Sequence, residues 1–271
     1  MCLSVITPAN FLDLKPQMES SIMLEISVLA LAGLAAGLLN AVAGGGTFIS
    51  FPALIYVGVP PVSASATATL AALPGYVTSA WGFRQDMQAE GALPLNAIVF
   101  IGVIGSIIGA LLLIVTPGDT FLWVVPWLLL LATILFALGP LILRHLRQSG
   151  AGKVGAVGSA FAIVTVSIYG GYFNGGLGIM LLAAFGFIGY VNLHGMNGLK
   201  SVLSAVVSLV SALAFISAGL IVWEQALIMA VSSAAGGYIG ARLTRRIVRT
   251  DLLRYFVTCI GATMALVFFL R

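Results

Sequence analysis

The chain has 271 residues, of which 12 Lys and Arg and 8 Asp and Glu are fully charged, 7% in all, against 61% hydrophobic residues and 32 glycines. A soluble domain carries roughly 25% charged residues, so there are too few polar groups to cover a water-facing surface, and an ordinary soluble enzyme is excluded. The formal charge of +4 fits basic cytoplasmic loops; no basic helix with aromatic platforms suggests nucleic acid.

Residues 1–21 include Asp13, Lys15, Pro16 and Glu19, too polar for a signal-peptide core, and are expected to form a polar surface tail. Apolar runs follow at 22–43, 47–59, 62–83, 92–115 and 121–143. After a polar connection at 144–153 a second set runs at 154–173, 176–191, 196–220, 224–243 and 252–270. A bilayer-spanning helix needs about 20 apolar residues. These runs are continuous and do not alternate with period two, which argues against a membrane barrel. The expected fold is an all-α integral membrane protein, one transmembrane domain over 22–271 with about eight to ten helices, some short or re-entrant.

Basic residues accumulate in cytoplasmic loops. Arg84, Arg144, Arg147, Lys153, Lys200, Arg242, Arg245, Arg246, Arg249 and Arg254 fall in or beside alternate gaps, leaving Lys15 and Arg271 for the other face. Both termini are therefore expected outside the cytoplasm, in a bacterial inner membrane.

The halves resemble each other. Gly37-Leu38-Leu39-Asn40, followed by Gly44-Gly45-Gly46, matches Gly171-Tyr172-Phe173-Asn174, followed by Gly175, Gly176 and Gly178. Gly105 and Gly109 match Gly236 and Gly240, and these four read as helix-packing positions. With an odd number of crossings per half, repeat 1 (22–143) and repeat 2 (154–271) lie inverted in the bilayer, a design suited to alternating access.

Asn40 to Thr47 is the strongest local signal. Three glycines interrupt a helix inside the membrane, where freed backbone groups persist only if protein or a polar cavity satisfies them. A helix restarting near Gly46 would aim its N–H groups and positive dipole end at an anion, and Asn174, Gly175, Gly176 and Gly178 repeat the arrangement. Two further helix starts carry polar side chains, Thr67 and Thr69 in the first half, and Asn197, Lys200 and Ser201 in the second. Hydroxyls there either cap the helix or meet a ligand. Lys200 either recognises the anion or snorkels to the headgroups. Glu25 and His194 are the proton-coupling candidates, with Glu224 at a segment edge. No nucleophile–base set, metal-ligand cluster or phosphate-binding loop is visible, and Cys2 and Cys259 lack any paired spacing, so no enzyme activity, metal or cofactor is expected.

The stretch from Asn40 through Gly44-Gly45-Gly46 to Pro52, the pattern Gly170 to Gly178 and the Asn197-to-Lys200 helix start resemble the repeat signature of the TauE/SafE sulfite exporter family, also called toluene sulfonate uptake permeases. The likeness covers about residues 25 to 270. It implies a secondary transporter of small sulfur-containing anions such as sulfite, sulfoacetate or other organosulfonates, often exported. The rival readings are an anion channel and an uptake permease for another small organic anion.

Overall fold

The computed structural model describes residues 8–87, 93–148, 155–244 and 251–270. Cys2, Lys153, Arg245, Arg246, Arg249 and Arg271 lie outside the described residues, as do the side chains of Asp13, Lys15, Pro16, Glu19, Arg147 and Arg254. Among the described residues there are ten helices and no strand: α1 (Pro8–Val42), α2 (Thr47–Tyr56), α3 (Pro61–Phe83), α4 (Leu95–Val115), α5 (Gly118–Gln148), α6 (Ala156–Tyr172), α7 (Leu177–Phe187), α8 (Leu193–Ser217), α9 (Trp223–Thr244) and α10 (Asp251–Phe269). Each expected apolar run holds one helix. Within the expected N-terminal tail, α1 is already helical at Pro8, and its apolar part begins at Ser20. A helix nucleated by an apolar span propagates outward through fair helix formers such as Leu14, Gln17 and Met18, and Pro8 suits a first helical position.

Among the described residues, five helices are long and apolar enough to cross a membrane: α1 from Ser20, α4, α5 to Gly139, α8 and α9. Leu31, Phe100, Trp123, Phe161, Leu213 and Val231 are exposed on them and on α6, the pattern of a lipid-facing surface. α3 has the length but not the apolar content, because Ser63, Ser65, Thr67, Thr69, Thr78 and Ser79 dilute it; most of those side chains are buried in protein. α2 and α7, at 10 and 11 residues, rise only about 15 Å and cannot cross alone the roughly 30 Å of hydrocarbon.

Helix pairings come in matched sets. α1 packs on α9 and α4 on α6; α3 packs on α9 and α8 on α4; α5 packs on α7 and α10 on α2; α3 meets α8 and α5 meets α10. Numbering each half from one to five, each of these pairings has its counterpart with the halves exchanged. Gly198 of α8 lies against Phe83 of α3, while Ser201 bonds Ser79, so these equivalent helices run antiparallel and the halves are inverted. The small residues make the contacts possible. A Cβ at Gly109 would overlap the Ile168 carbonyl, one at Gly236 the Leu34 carbonyl, and ones at Gly105 and Gly240 would sit 2.8 and 2.7 Å from the Val164 and Leu38 carbonyls. All four glycines are packing positions, as their spacing suggested. α2 and α7 also end alike: Val59 donates to the Leu54 carbonyl at 3.0 Å and Tyr190 to that of Phe185 at 2.9 Å, across positive-φ Gly58 and Gly189.

Candidate functional site

The first break separates α1 from α2. Gly44 adopts φ +85°, a conformation costly for any residue with a Cβ, and turns the chain. The Asn40 side chain then reaches forward: its Oδ1 accepts the Gly46 N–H at 2.7 Å, satisfying one of the donors a helix start leaves open. A Cβ at Gly46 would lie 2.6 Å from Asn40 Cγ, so the third glycine makes room for this cap. Asn40 Nδ2 has no partner, nor has Thr47 Oγ1 on the first residue of α2, and both residues are buried. The Phe48 and Ile49 N–H groups turn back to the Gly45 and Gly46 carbonyls.

The second break separates α6 from α7. Gly176, at φ +77°, precedes α7 directly, and the Gly175 carbonyl accepts the Tyr169 hydroxyl at 2.6 Å. Here the asparagine is used differently. Asn174 Oδ1 accepts from the Tyr76 hydroxyl of α3 at 3.0 Å, and its Nδ2 donates to Ser208 Oγ of α8 at 2.8 Å.

The breaks touch. A Cβ on Gly44 would be 2.5 Å from the Gly178 Cα, and the reverse holds for Gly178; Phe51 of α2 packs edge-on against Phe173 at 5.8 Å. The N-terminal ends of two half-length helices, one from each repeat, are thus brought together, and their positive dipole ends share one locus.

One flank of α8 joins both breaks. Asn197, Lys200, Ser201, Ser204, Ser208 and Ser211 follow the helical period along it, and all are buried. Lys200, 0% exposed, donates from Nζ to the Ala41 carbonyl at 3.2 Å and to Asn197 Oδ1 at 2.8 Å. It therefore closes the C-terminal end of α1 and does not snorkel to the headgroups. Both of these oxygens are neutral, and a buried ammonium is costly without negative charge nearby. Ser201 Oγ bonds the Asn197 carbonyl at 2.8 Å and Ser79 Oγ at 2.9 Å; Ser208 holds Asn174, and the Ser204 and Ser211 hydroxyls are unpartnered.

Of the residues expected at the site, Asn40, Gly44, Gly45, Gly46, Thr47, Asn174, Gly175, Gly176, Gly178, Asn197, Lys200 and Ser201 lie at the breaks or on the flank joining them. Thr67 does not: its hydroxyl accepts the Val222 N–H at 3.1 Å, where α9 begins. Thr69 bonds back to the Ser65 carbonyl at 2.9 Å. Glu25 accepts from Gln225 Nε2 at 3.1 Å in the N-terminal half of α1, and His194 is exposed, facing the Phe83 ring; neither reaches the breaks. Sequence reasoning missed Tyr76, Ser79, Ser204, Ser208 and Ser211. The three-to-four-residue spacing of the serines along 201–211 was the signal available for α8.

Known proteins bear on this geometry. The family model described as "Sulfite exporter TauE/SafE" matches residues 29–268. The "Probable membrane transporter protein YfcA" of Escherichia coli K12 is 28% identical over 250 residues, covering 89% of this chain and 88% of its own. The "Probable membrane transporter protein ORF9" of a Sinorhizobium species is 27% identical over 227 residues, 80% of this chain and 82% of its own. A "Probable membrane transporter protein" of Haemophilus influenzae is 29% identical over 224 residues, 80% and 84%. No solved structure matches. The inverted ten-helix architecture with its paired breaks and the match over most of the length agree: this chain belongs to the TauE/SafE family of multi-pass membrane transporters.

Proposed function

We propose that the protein is a secondary carrier that exports small sulfur-containing anions such as sulfite, sulfoacetate or other organosulfonates by alternating access between its inverted halves. The observation that carries this reading is the meeting of the α2 and α7 N-termini at Gly44 and Gly178, beside the unpartnered Asn40 Nδ2 and Thr47 Oγ1. Sulfonate or sulfite oxygens would accept from the Asn40 amide and Thr47 hydroxyl donors left unpartnered there. Lys200 gains from the anion the negative charge its two neutral partners lack. Backbone contact between the breaks favours a carrier over an open channel. The description of the matching family supports the sulfur anion and the outward direction. The alternation of basic residues supports both termini outside the cytoplasmic membrane.

The test is flux of labelled sulfite, sulfoacetate and taurine in proteoliposomes, with and without an imposed pH gradient, beside the double variant Asn40→Ala/Asn174→Ala. Saturable flux that competing sulfonates inhibit and the variant loses is the expected result. A folded protein that moves none of these anions contradicts the assignment.

A further inference from the structure

α3 and α8 pack on each other and hold the same place in the two halves. Three features fix their register: Pro60 and Asn192 precede their first turns, Thr69 and Ser201 bond back to the Ser65 and Asn197 carbonyls at 2.9 and 2.8 Å, and Phe83 and Phe215 are buried near their ends. In that register Ser79 corresponds to Ser211 and Ala68 to Lys200. Inversion exchanges the two helices, so the counterpart of the Ser79–Ser201 contact is the pair Thr69 and Ser211.

The two ends of this crossing are bonded differently. Where α3 ends at Arg84, Ser79 Oγ and Ser201 Oγ lie 2.9 Å apart, and Lys200 of repeat 2 reaches the Ala41 carbonyl of repeat 1. Ala41, Phe83 and Ala241 are buried together there. Midway, Asn174 joins Tyr76 of α3 to Ser208 of α8. At the far end the Thr69 hydroxyl donates within its own helix, and the fully buried Ser211 hydroxyl has no partner. Ala68 stands in the position of Lys200, and the Gly175 carbonyl, which like that of Ala41 follows a break asparagine, takes the Tyr169 hydroxyl of its own repeat. A serine inside a helix commonly bonds a carbonyl one turn back, as Ser201 does; the buried Ser211 hydroxyl is half of an unmade bond.

We propose that the α3–α8 crossing is a two-position gate that pivots at Asn174. In the present position the Ser79–Ser201 and Lys200–Ala41 bonds hold the Arg84 end shut. In the other position they part, and Thr69 and Ser211 bond to close the opposite end. One hydroxyl pair forms as its counterpart breaks, which keeps the two positions close in energy, and Lys200 biases the crossing toward the present one. An anion that draws the Lys200 ammonium from the neutral Ala41 carbonyl lifts that bias. The exclusion of one bond by the other stands on the crossing alone; its use as a gate rests on the transport reading above.

The experiment uses the full chain in proteoliposomes with Cys2→Ser and Cys259→Ser as background. Ser79→Cys/Ser201→Cys and Thr69→Cys/Ser211→Cys are introduced together, oxidised mildly and mapped by mass spectrometry. Each chain carries one disulfide or the other and never both. Alone, the oxidised Ser79→Cys/Ser201→Cys pair lowers sulfoacetate flux about 10-fold or more by removing one of two states, and reduction restores it. Lys200→Met speeds the Thr69→Cys/Ser211→Cys cross-link about 5-fold or more, a typical coupling between sites. If the four-cysteine chain fails to accumulate, the two pairs in separate chains decide, and both must cross-link. Both disulfides in one chain, no Thr69→Cys/Ser211→Cys cross-link where the other pair forms, or flux that persists with the Ser79→Cys/Ser201→Cys disulfide intact overturns the proposal. Mutually exclusive disulfides in a protein that moves no sulfur anion keep the two positions and remove the transport reading.

Discussion

The two breaks share a plan and differ in how their asparagines are used. Both interrupt a helix with a positive-φ glycine and restart it as a half-length helix. Asn174 spends both ends of its amide on Tyr76 and Ser208, so it ties its break to α3 and α8. Asn40 spends only its oxygen, on Gly46, and leaves Nδ2 unpartnered beside the unpartnered Thr47 hydroxyl. Burying an unsatisfied donor costs about 1–3 kcal/mol, a cost that a transiently bound anion removes and a permanent structural role does not explain. In the proposed carrier the first break would carry the ligand-facing chemistry, and the second would hold the frame against which it works.

The largest effect is expected where the two breaks meet. Gly44→Ala imposes a positive-φ penalty and a clash with the Gly178 backbone, and is expected to cost about 2–5 kcal/mol and most of the folded yield. Gly58→Ala, at φ +87° with open space around its Cβ, is the control and costs only about 1–2 kcal/mol; thermal unfolding of the two variants reads the difference. Lys200→Met exchanges a buried charge for a neutral chain of similar shape, so the protein still folds, while flux at low anion concentration falls about 100-fold or more, since an unpaired partner in a buried charged contact costs roughly 2–5 kcal/mol.

Separate asparagine variants sharpen the contrast. Asn40→Ala lowers flux at low concentration by about 10- to 100-fold, the worth of a hydrogen bond to a charged group. Asn174→Ala instead loses about 1–3 kcal/mol of stability through its two broken bonds and shifts the apparent KM by less than about 3-fold. Equal kinetic losses in both would erase the distinction. The smallest effect is Thr47→Val, which removes one hydroxyl and raises KM about 3- to 10-fold with melting nearly unchanged.

Much of this was legible in the chain. Ten apolar runs gave ten helices because length and hydropathy decide membrane helices almost locally, and the glycine clusters marked the breaks because nothing else stops a helix there. What stayed hidden depends on distant partners. Lys200 reads equally as an anion ligand or a headgroup anchor until the Ala41 carbonyl, 159 residues away, appears against it. Thr67 reads as a helix cap or a ligand contact until the Val222 N–H donates to its hydroxyl. Likewise, nothing local to Asn174 announces that Tyr76 and Ser208 occupy its amide, or that Asn40 is left half-used.

The proposed placement of the anion is against the α2 N-terminus where the breaks meet. It is tested by Thr47→Cys in a chain carrying Cys2→Ser and Cys259→Ser, labelled in proteoliposomes with a sulfonate-bearing methanethiosulfonate. The account predicts that sulfoacetate slows labelling about 10-fold or more at the concentrations that saturate flux, as occupancy at 10 times Kd requires, while a neutral analogue has no effect. Labelling that proceeds unchanged while sulfoacetate flux is saturated would place the anion elsewhere.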